Sequence, residues 1–318
     1  GLIVEEPEAH LHPQLQAVLL RYLASLQSVE GEKPVQLFVT SHSSNFASNS
    51  NLDSLTCLVE SNDRVEAFFP RDIRFEKGKR EKLERYLDVT RAELFFARRV
   101  IFVEGAAELM LVDALATLAG FDLRGHGVSL ISVEGLNFDS FLPLFGEEAL
   151  NIPVALITDA DPQPQVVEGE EGEEEGHEEE DEDKVKALYP ALGDNVVVSR
   201  NTEKMKGQED CYVKIYHGVK TLEYDLALYK NNREAMLIAL AELHPQIAKS
   251  LRRVVDAQAD NTCKARELFR GMFERSHNNV QKGSFGQALA QVVREGVAFE
   301  VPGYIRSAFE HVCQVEKH

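Results

Sequence analysis

The sequence predicts an α/β protein built on a mainly parallel sheet with flanking helices, followed by a helical extension. Three observations predict it: short apolar runs alternate with helical patterns, the alternation starts afresh near residue 100, and the second series of runs ends in acidic residues. Strand, helix and strand in succession favour a parallel sheet. Ligands of such sheets collect at the carboxyl ends of the strands, so the acidic strand ends are the first place to look for chemistry.

Leu2-Ile3-Val4 opens the chain as a buried strand. Pro13 suits the first turn of a helix in which Leu15, Val18, Leu19, Tyr22, Leu23 and Leu26 recur near 3.6 residues and define one buried face. Val35 to Val39 is a second strand, and Leu55–Glu60 with Val65–Phe69 reads as a hairpin around Asn62-Asp63. Residues 77–99 are charged and helical, a connector. Val100 to Val103 begins the second series, with a glycine-containing turn and a helix through Met110, Ala114 and Leu118. Val128–Val133, a helix near Phe138–Phe145, and Val154–Ile157 follow. Val196–Val198 and Thr221–Tyr224 precede several short helices running to His318.

The 318 residues carry a net charge of −19, which argues against a partner held by general cationic attraction. Twelve of the acids, however, lie between Glu168 and Asp183, leaving −7 on the rest. Nucleic acid is therefore not excluded as a ligand. The segment 162–183, with its prolines, glycines and acids, is expected to be disordered. The four cysteines form no CxxC pair, which suits a reducing, cytoplasmic setting. No apolar run reaches the ~18 residues that span a bilayer, so no membrane is expected. With no initiator Met and an immediate strand, the chain reads as a fragment.

Glu5-Glu6-Pro7 places two carboxylates at the end of the first strand, and Thr40-Ser41-His42-Ser43 ends the second beside it. One carboxylate there can hold Mg²⁺ through water and the next can orient a water against a γ-phosphate. Residues 5–13, reading EEPEAHLHP, with His42, resemble the Walker B segment and switch histidine of ABC-type ATPases. The resemblance implies that Glu5 stands at the magnesium-linked position, Glu6 is the catalytic carboxylate and His42 senses the γ-phosphate of ATP. No GxxxxGK[ST] occurs in the 318 residues, so ATP chemistry is expected only in a full-length protein with a phosphate-binding loop upstream of Gly1.

Glu104 ends the Val100–Val103 run and Glu108 follows four positions later, on the same edge if a helix starts at Gly105. Thr158-Asp159-Ala160-Asp161 follows Val154–Ile157, and strand alternation would point both Asp side chains one way. Four carboxylates at neighbouring strand ends repel one another without a cation, and hard divalent ions take oxygen ligands of this kind.

A Glu after one strand and DxD after a later one resembles the Toprim domain of topoisomerases, primases and certain nucleases. An ABC-type ATPase segment followed directly by Toprim resembles the OLD (overcoming lysogenization defect) family, related to the Gabija defence nuclease, and residues 91–105 look like that family's entry into Toprim. The resemblance implies three parts. Residues 1–97 are the end of the ATPase domain with its connector, 98–225 a Rossmann-like Toprim core and 226–318 a helical extension.

It further implies that Glu104, Glu108, Asp159 and Asp161 bind metal, that Glu223 in Thr221–Leu226 completes a second metal site, and that Lys282 in Lys282-Gly283-Ser284-Phe285 neutralises the scissile phosphate. A helix N-terminal carboxylate and a surface lysine are the plainer readings of the last two. Glu134 repeats the look of Glu104 but is left out of the set.

The implied function is metal-dependent DNA cleavage, as nicking, double-strand cutting or end trimming, gated by the ATPase and serving phage defence. The implied cofactors are two Mg²⁺ or Mn²⁺ ions, with Ca²⁺ as a possible occupant. A homodimer is expected for the full-length protein, and a helicase-type partner stays open. Two tracts, 71–99 with ten basic residues against six acids and 249–282 with eight against four, offer phosphate contacts, although ordinary charged helix surfaces would read the same. The rivals are another Toprim enzyme of topoisomerase or primase type, a DxD phosphatase, and a non-catalytic DNA-associated ATPase arm. Pro162 after the second Asp weighs against the phosphatase.

Overall fold

A computed structural model of the chain describes residues 1–26, 35–61, 64–87, 90–134, 138–162 and 188–314. The Asn62-Asp63 turn and nearly all of the acidic segment lie outside the described residues. The chain divides into two units, one made of residues 1–98 with 138–152, the other of residues 99–137 with 153–318.

In the first unit, β1 (Leu2–Glu5) pairs in parallel with β2 (Leu37–Thr40), Leu2 opposite Leu37 and Glu5 opposite Thr40. The crossover between them carries α1 (Pro13–Ser25), which has proline at its start and a His12 cap on the Gln14 N–H. The apolar stripe of α1 is not the buried face that its spacing suggests. Only Leu23 is buried, whereas Leu15, Val18 and Tyr22 are 54–60% exposed, and Ile3 of β1 is 71% exposed. A two-stranded ladder is too narrow to cover one whole helix face and its own two faces. After α2 (Ser44–Ser48), β3 (Cys57–Ser61) and β4 (Arg64–Phe68) form the expected antiparallel hairpin. The charged connector is helical only in α3 (Lys79–Tyr86); a 3₁₀ turn covers Arg91–Phe95. The stretch Phe138–Phe145, expected as one helix, holds two 3₁₀ turns, Phe138–Ser140 and Leu142–Leu144, with Pro143 inside the second. Proline lacks the N–H that a continuing α-helix needs.

The second unit contains a parallel sheet in the order β6-β5-β7-β8, formed by β5 (Arg99–Val103), β6 (Val128–Ser132), β7 (Val154–Thr158) and β8 (Val213–His217). The two central strands are apolar without alternation, as strands covered on both faces must be. Val100, Ile101, Phe102 and Val103 are fully buried, and so are Val154, Ala155 and Leu156. Each large side chain so placed contributes about 1.5–3 kcal/mol. Val196–Val198, an apolar run, joins no ladder; β8 occupies the place beside β7.

Helix α4 (Ala106–Ala119) starts directly after β5 and stops at Gly120, whose φ of 86° lets its N–H close on the carbonyls of Ala116 and Thr117. Beyond β7 come α5 (Arg200–Lys206), capped by the Ser199 side chain, and α6 (Leu222–Ala227), just after β8. The extension consists of α7 (Lys230–Leu243), α8 (Pro245–Asp256), α9 (Asn261–Phe273), α10 (Lys282–Arg294) and α11 (Gly303–Cys313). It is continuous with the sheet's core: α10 packs along α4 and α7, and α11 packs against β7 and β8. No helix among the described residues is long and apolar enough to cross a membrane.

Helices α4 and α10 touch at a glycine. A Cβ on Gly286 would lie 2.8 Å from the Ala107 Cβ and 2.9 Å from its Cα. Replacement of Gly286 by Ala is therefore expected to cost about 1–3 kcal/mol through overpacking. Urea unfolding checks this, and an unchanged midpoint would mean that the two helices separate freely.

Candidate active site

Strands β5 and β7 are neighbours in register, Phe102 opposite Leu156, so the residues leaving their carboxyl ends meet. Glu104 Oε1 accepts the Thr158 hydroxyl at 2.7 Å and the Asp159 N–H at 2.9 Å. The first acidic element is thus tied directly to the start of the second. Helix α4 begins at Ala106, and Leu109 N–H bonds to the Gly105 carbonyl at 3.1 Å, which puts Glu108 in the first turn above Glu104. Its Oε2 comes so close to Gly105 that a Cβ there would lie 2.9 Å from it.

The two aspartates do not follow strand alternation. β7 ends at Thr158, and Asp161 has a φ of 43°, in the left-handed region. Asp159 Oδ1 accepts the Leu222 N–H at 3.0 Å, which couples the DxD turn to α6. In the same helix Glu223 is buried, and its Oε2 accepts the Thr221 hydroxyl at 3.1 Å and the Lys282 ammonium at 2.9 Å. Lys282, the first residue of α10, keeps 45% of its side chain exposed.

Electrostatics bind the six positions into one neighbourhood. Burial pushes the Glu108 carboxyl up, with repulsion from Glu223 and Glu104 adding and Lys282 opposing. Burial likewise raises Asp159 well above the usual range, aided by Glu104 and Glu223, and raises Asp161, aided by Glu104. For Lys282 burial works against the charged form, but the attraction of Glu223 and Asp159 outweighs it and the ammonium is strengthened. Lys282 is thus a cation that Glu108, Asp159 and Asp161 face within the protein itself, and Lys220 acts on Asp161 as well. Among the described residues, no three His, Cys, Asp or Glu side chains are gathered closely enough to hold one ion together. Glu104, Asp159 and Glu223 are turned instead to a peptide N–H, a hydroxyl or an ammonium. The donor set, oxygen throughout, has the chemistry of hard divalent cations.

Sequence reasoning missed several residues behind this edge. Asp225 is buried, and burial outweighs its hydrogen bonds to push its carboxyl up to about 7. Lys220 holds its ammonium 4.6 Å from the Tyr189 ring centre and 5.5 Å from that of Phe269, and 3.9 Å from Glu274. Tyr304 reaches Asp225 from α11. An acid inside the apolar run Leu222–Leu228 was the one visible signal; Lys220 and Tyr304 had none.

In the first unit His42 Nε2 stands 3.4 Å from Glu6 Oε1, both side chains exposed. Glu5 is the last residue of β1, opposite Thr40. Glu8, not singled out from sequence, accepts the Ser41 hydroxyl at 2.6 Å and the His42 N–H at 3.0 Å on Oε1, fixing the turn that carries His42. Of the basic tracts, Arg71, Lys79 and Arg80 pair with Asp72, Asp139 and Asp53, and Arg252, Arg266 and Arg270 pair with Glu234, Glu267 and Glu274.

The family model described as the TOPRIM domain of overcoming lysogenization defect protein-like proteins matches residues 95–161, which contain β5, β6, β7 and both acidic strand ends. The model described as an AAA ATPase domain matches residues 2–47, with Glu5, Glu6 and His42 inside it. Among curated proteins, endonuclease GajA of Bacillus cereus (strain HuB5-5) is 26% identical over 178 residues, covering 50% of this chain and 26% of that protein. The OLD nuclease of Thermus scotoductus (strain ATCC 700910 / SA-01) is 27% identical over 173 residues, covering 51% of this chain and 31% of that protein. The chain therefore spans less than a third of the length of either relative. Among solved structures, the C-terminal region of the Xanthomonas campestris pv. campestris OLD protein is 31% identical, with 70% of this chain and 94% of that one covered and a TM-score of 0.42. With the OLD-like Toprim match lying on the strands that carry Glu104 and Asp159, and the ATPase match before it, the chain belongs to the OLD family and joins an AAA-type ATPase segment to a Toprim domain.

Proposed function

We propose that this chain carries the catalytic part of a metal-dependent DNA nuclease. The observation that carries the reading is the bond network of Glu104, which accepts from Thr158 and Asp159 and so brings the Glu and DxD strand ends together. The names of the GajA endonuclease and the Thermus OLD nuclease support the same reaction class.

Glu104, Glu108, Asp159, Asp161 and Glu223 are the residues that would hold two divalent cations, Mg²⁺ or Mn²⁺. Such ions, when bound, supply a water nucleophile at neutral pH and stabilise charge on the phosphodiester oxygens. The protein's own part is orientation and charge. The Thr158 hydroxyl and Asp159 N–H fix the Glu104 carboxylate, and the Leu222 N–H fixes that of Asp159. Lys282, half-exposed beside Glu223, presents its ammonium where a backbone phosphate of DNA would enter. ATP-dependent gating through Glu5, Glu6 and His42, dimerisation and a role in phage defence belong to this proposal for the whole protein.

Substitution of Glu104 or Asp159 by Ala is expected to lower Mg²⁺- or Mn²⁺-dependent nicking of supercoiled plasmid by at least about 100-fold, beyond what loss of a ligand's supporting partner costs. Circular dichroism should stay unchanged, and undiminished cutting by either pure variant would reject this site.

The raised carboxyls give a second test. A carboxyl raised by folding binds more protons in the folded than in the unfolded chain, so its contribution to stability falls as pH rises between the two values. For Asp225 that window runs from the ordinary 3.8 to about 7, and Glu108, Asp159 and Asp161 act in the same direction. In EDTA, replacing Asp159 by Asn is expected to raise the melting temperature at pH 7.5 and flatten its decline above pH 5. Mn²⁺ should stabilise the wild type and not the variant. Differential scanning fluorimetry across pH reads both, and a wild type indifferent to Mn²⁺ would count against the cation site.

A further inference from the structure

Three segments remote in sequence meet behind the acidic edge, and Asp225 is where they join. It is buried to 3% exposure, on the face of α6 away from the role given to Glu223. Its Oδ1 accepts the backbone N–H groups of Val219 at 3.0 Å and Lys220 at 3.1 Å. The Tyr304 hydroxyl of α11 donates to the same carboxylate. Gly218 permits this approach, since a Cβ there would lie 1.7 Å from Asp225 Oδ2 and 2.9 Å from Tyr304 Cε1.

The Lys220 peptide then passes the constraint on. Its carbonyl accepts the Ala160 N–H at 2.7 Å and the Asp161 N–H at 3.3 Å. Its side chain is anchored over Tyr189 and Phe269 and beside Glu274, so the peptide is held from both ends. Asp161 needs such support. A non-glycine residue in the left-handed region is strained and persists only where its surroundings impose it.

We propose that Asp225 is a positioning residue for the Asp159-Ala160-Asp161 turn, acting through the Lys220 peptide to hold Asp161 in the conformation that presents its carboxylate. It touches neither substrate nor reacting atoms. The inference deepens the nuclease reading and rests on it only for its activity arm; the geometry it asserts is testable without cleavage.

The experiment is hydrogen–deuterium exchange of the full chain at the Ala160 and Asp161 amides. It is run beside Mn²⁺ affinity by electron paramagnetic resonance and plasmid nicking, for the wild type, Asp225→Ala and Asp225→Asn. Asn keeps a carbonyl oxygen for the two N–H groups and Ala does not. Asp225→Ala is expected to speed exchange at both amides by at least about tenfold and to weaken Mn²⁺ binding about 10–100-fold, the range typical of lost outer partners. Asp225→Asn should stay within about threefold of the wild type on both measures. Wild-type exchange or wild-type Mn²⁺ affinity in folded Asp225→Ala overturns the proposal, as does an Asn variant as impaired as Ala. Should Asp225→Ala fail to fold, Tyr304→Phe must speed exchange at the same two amides about threefold more than at amides within α7; equal exchange overturns the proposal. A wild type that binds Mn²⁺ but leaves plasmid intact removes the nuclease reading, while the exchange result still decides the role of Asp225.

Discussion

The second unit depends on the parallel pairing of β5 with β7. Because Phe102 lies opposite Leu156, the chain leaves both strands at the same level, and Glu104 finds the Thr158 hydroxyl and the Asp159 N–H within hydrogen-bond reach. Antiparallel pairing would send these ends to opposite edges of the sheet. The parallel arrangement in turn requires helices over both faces, which is why the strands are continuously apolar and why the C-terminal helices share one core with the sheet. The acidic edge is therefore a product of topology before it is a product of side-chain chemistry.

Grouping carboxylates at one edge sets a problem of charge, and the protein answers it locally. Glu104 and Asp159 lean on peptide N–H groups, Glu223 on the Lys282 ammonium, and burial, with the remaining repulsion, raises the carboxyls of Glu108, Asp159 and Asp161. Such a site is poised. Its neutralising partners hold the edge together but leave part of the burden of burial and repulsion in place. Lys282 is placed as the counter-ion of Glu223.

How much of this was legible in the sequence follows from the range of the forces involved. The central strands were, because fully buried strands read as unbroken apolar runs, and the Glu and DxD positions stood at their ends. The fate of Val196–Val198 was not, since membership of a sheet depends on which segment reaches the open edge first, and β8 holds it. The α1 stripe had the right period but no partner surface wide enough to cover it. Strand alternation misjudged Asp161 because β7 stops three residues earlier. Asp225, Lys220 and Tyr304 were invisible for a different reason. Their roles arise from contacts between residues up to 79 positions apart in the chain, counting from Asp225 to Tyr304, and no local pattern records such contacts.

The close approach of α4 and α10 at Ala107 and Gly286 also reaches the edge of the sheet. Glu108 stands one residue beyond the first of these and Lys282 four residues before the second. Backbone contact, more than the play of long side chains, sets the gap across which the acid and the amine face each other. That gap is set by the spacing of two helices, so the distance between a carboxylate and an ammonium is inherited from the absence of a single methyl group.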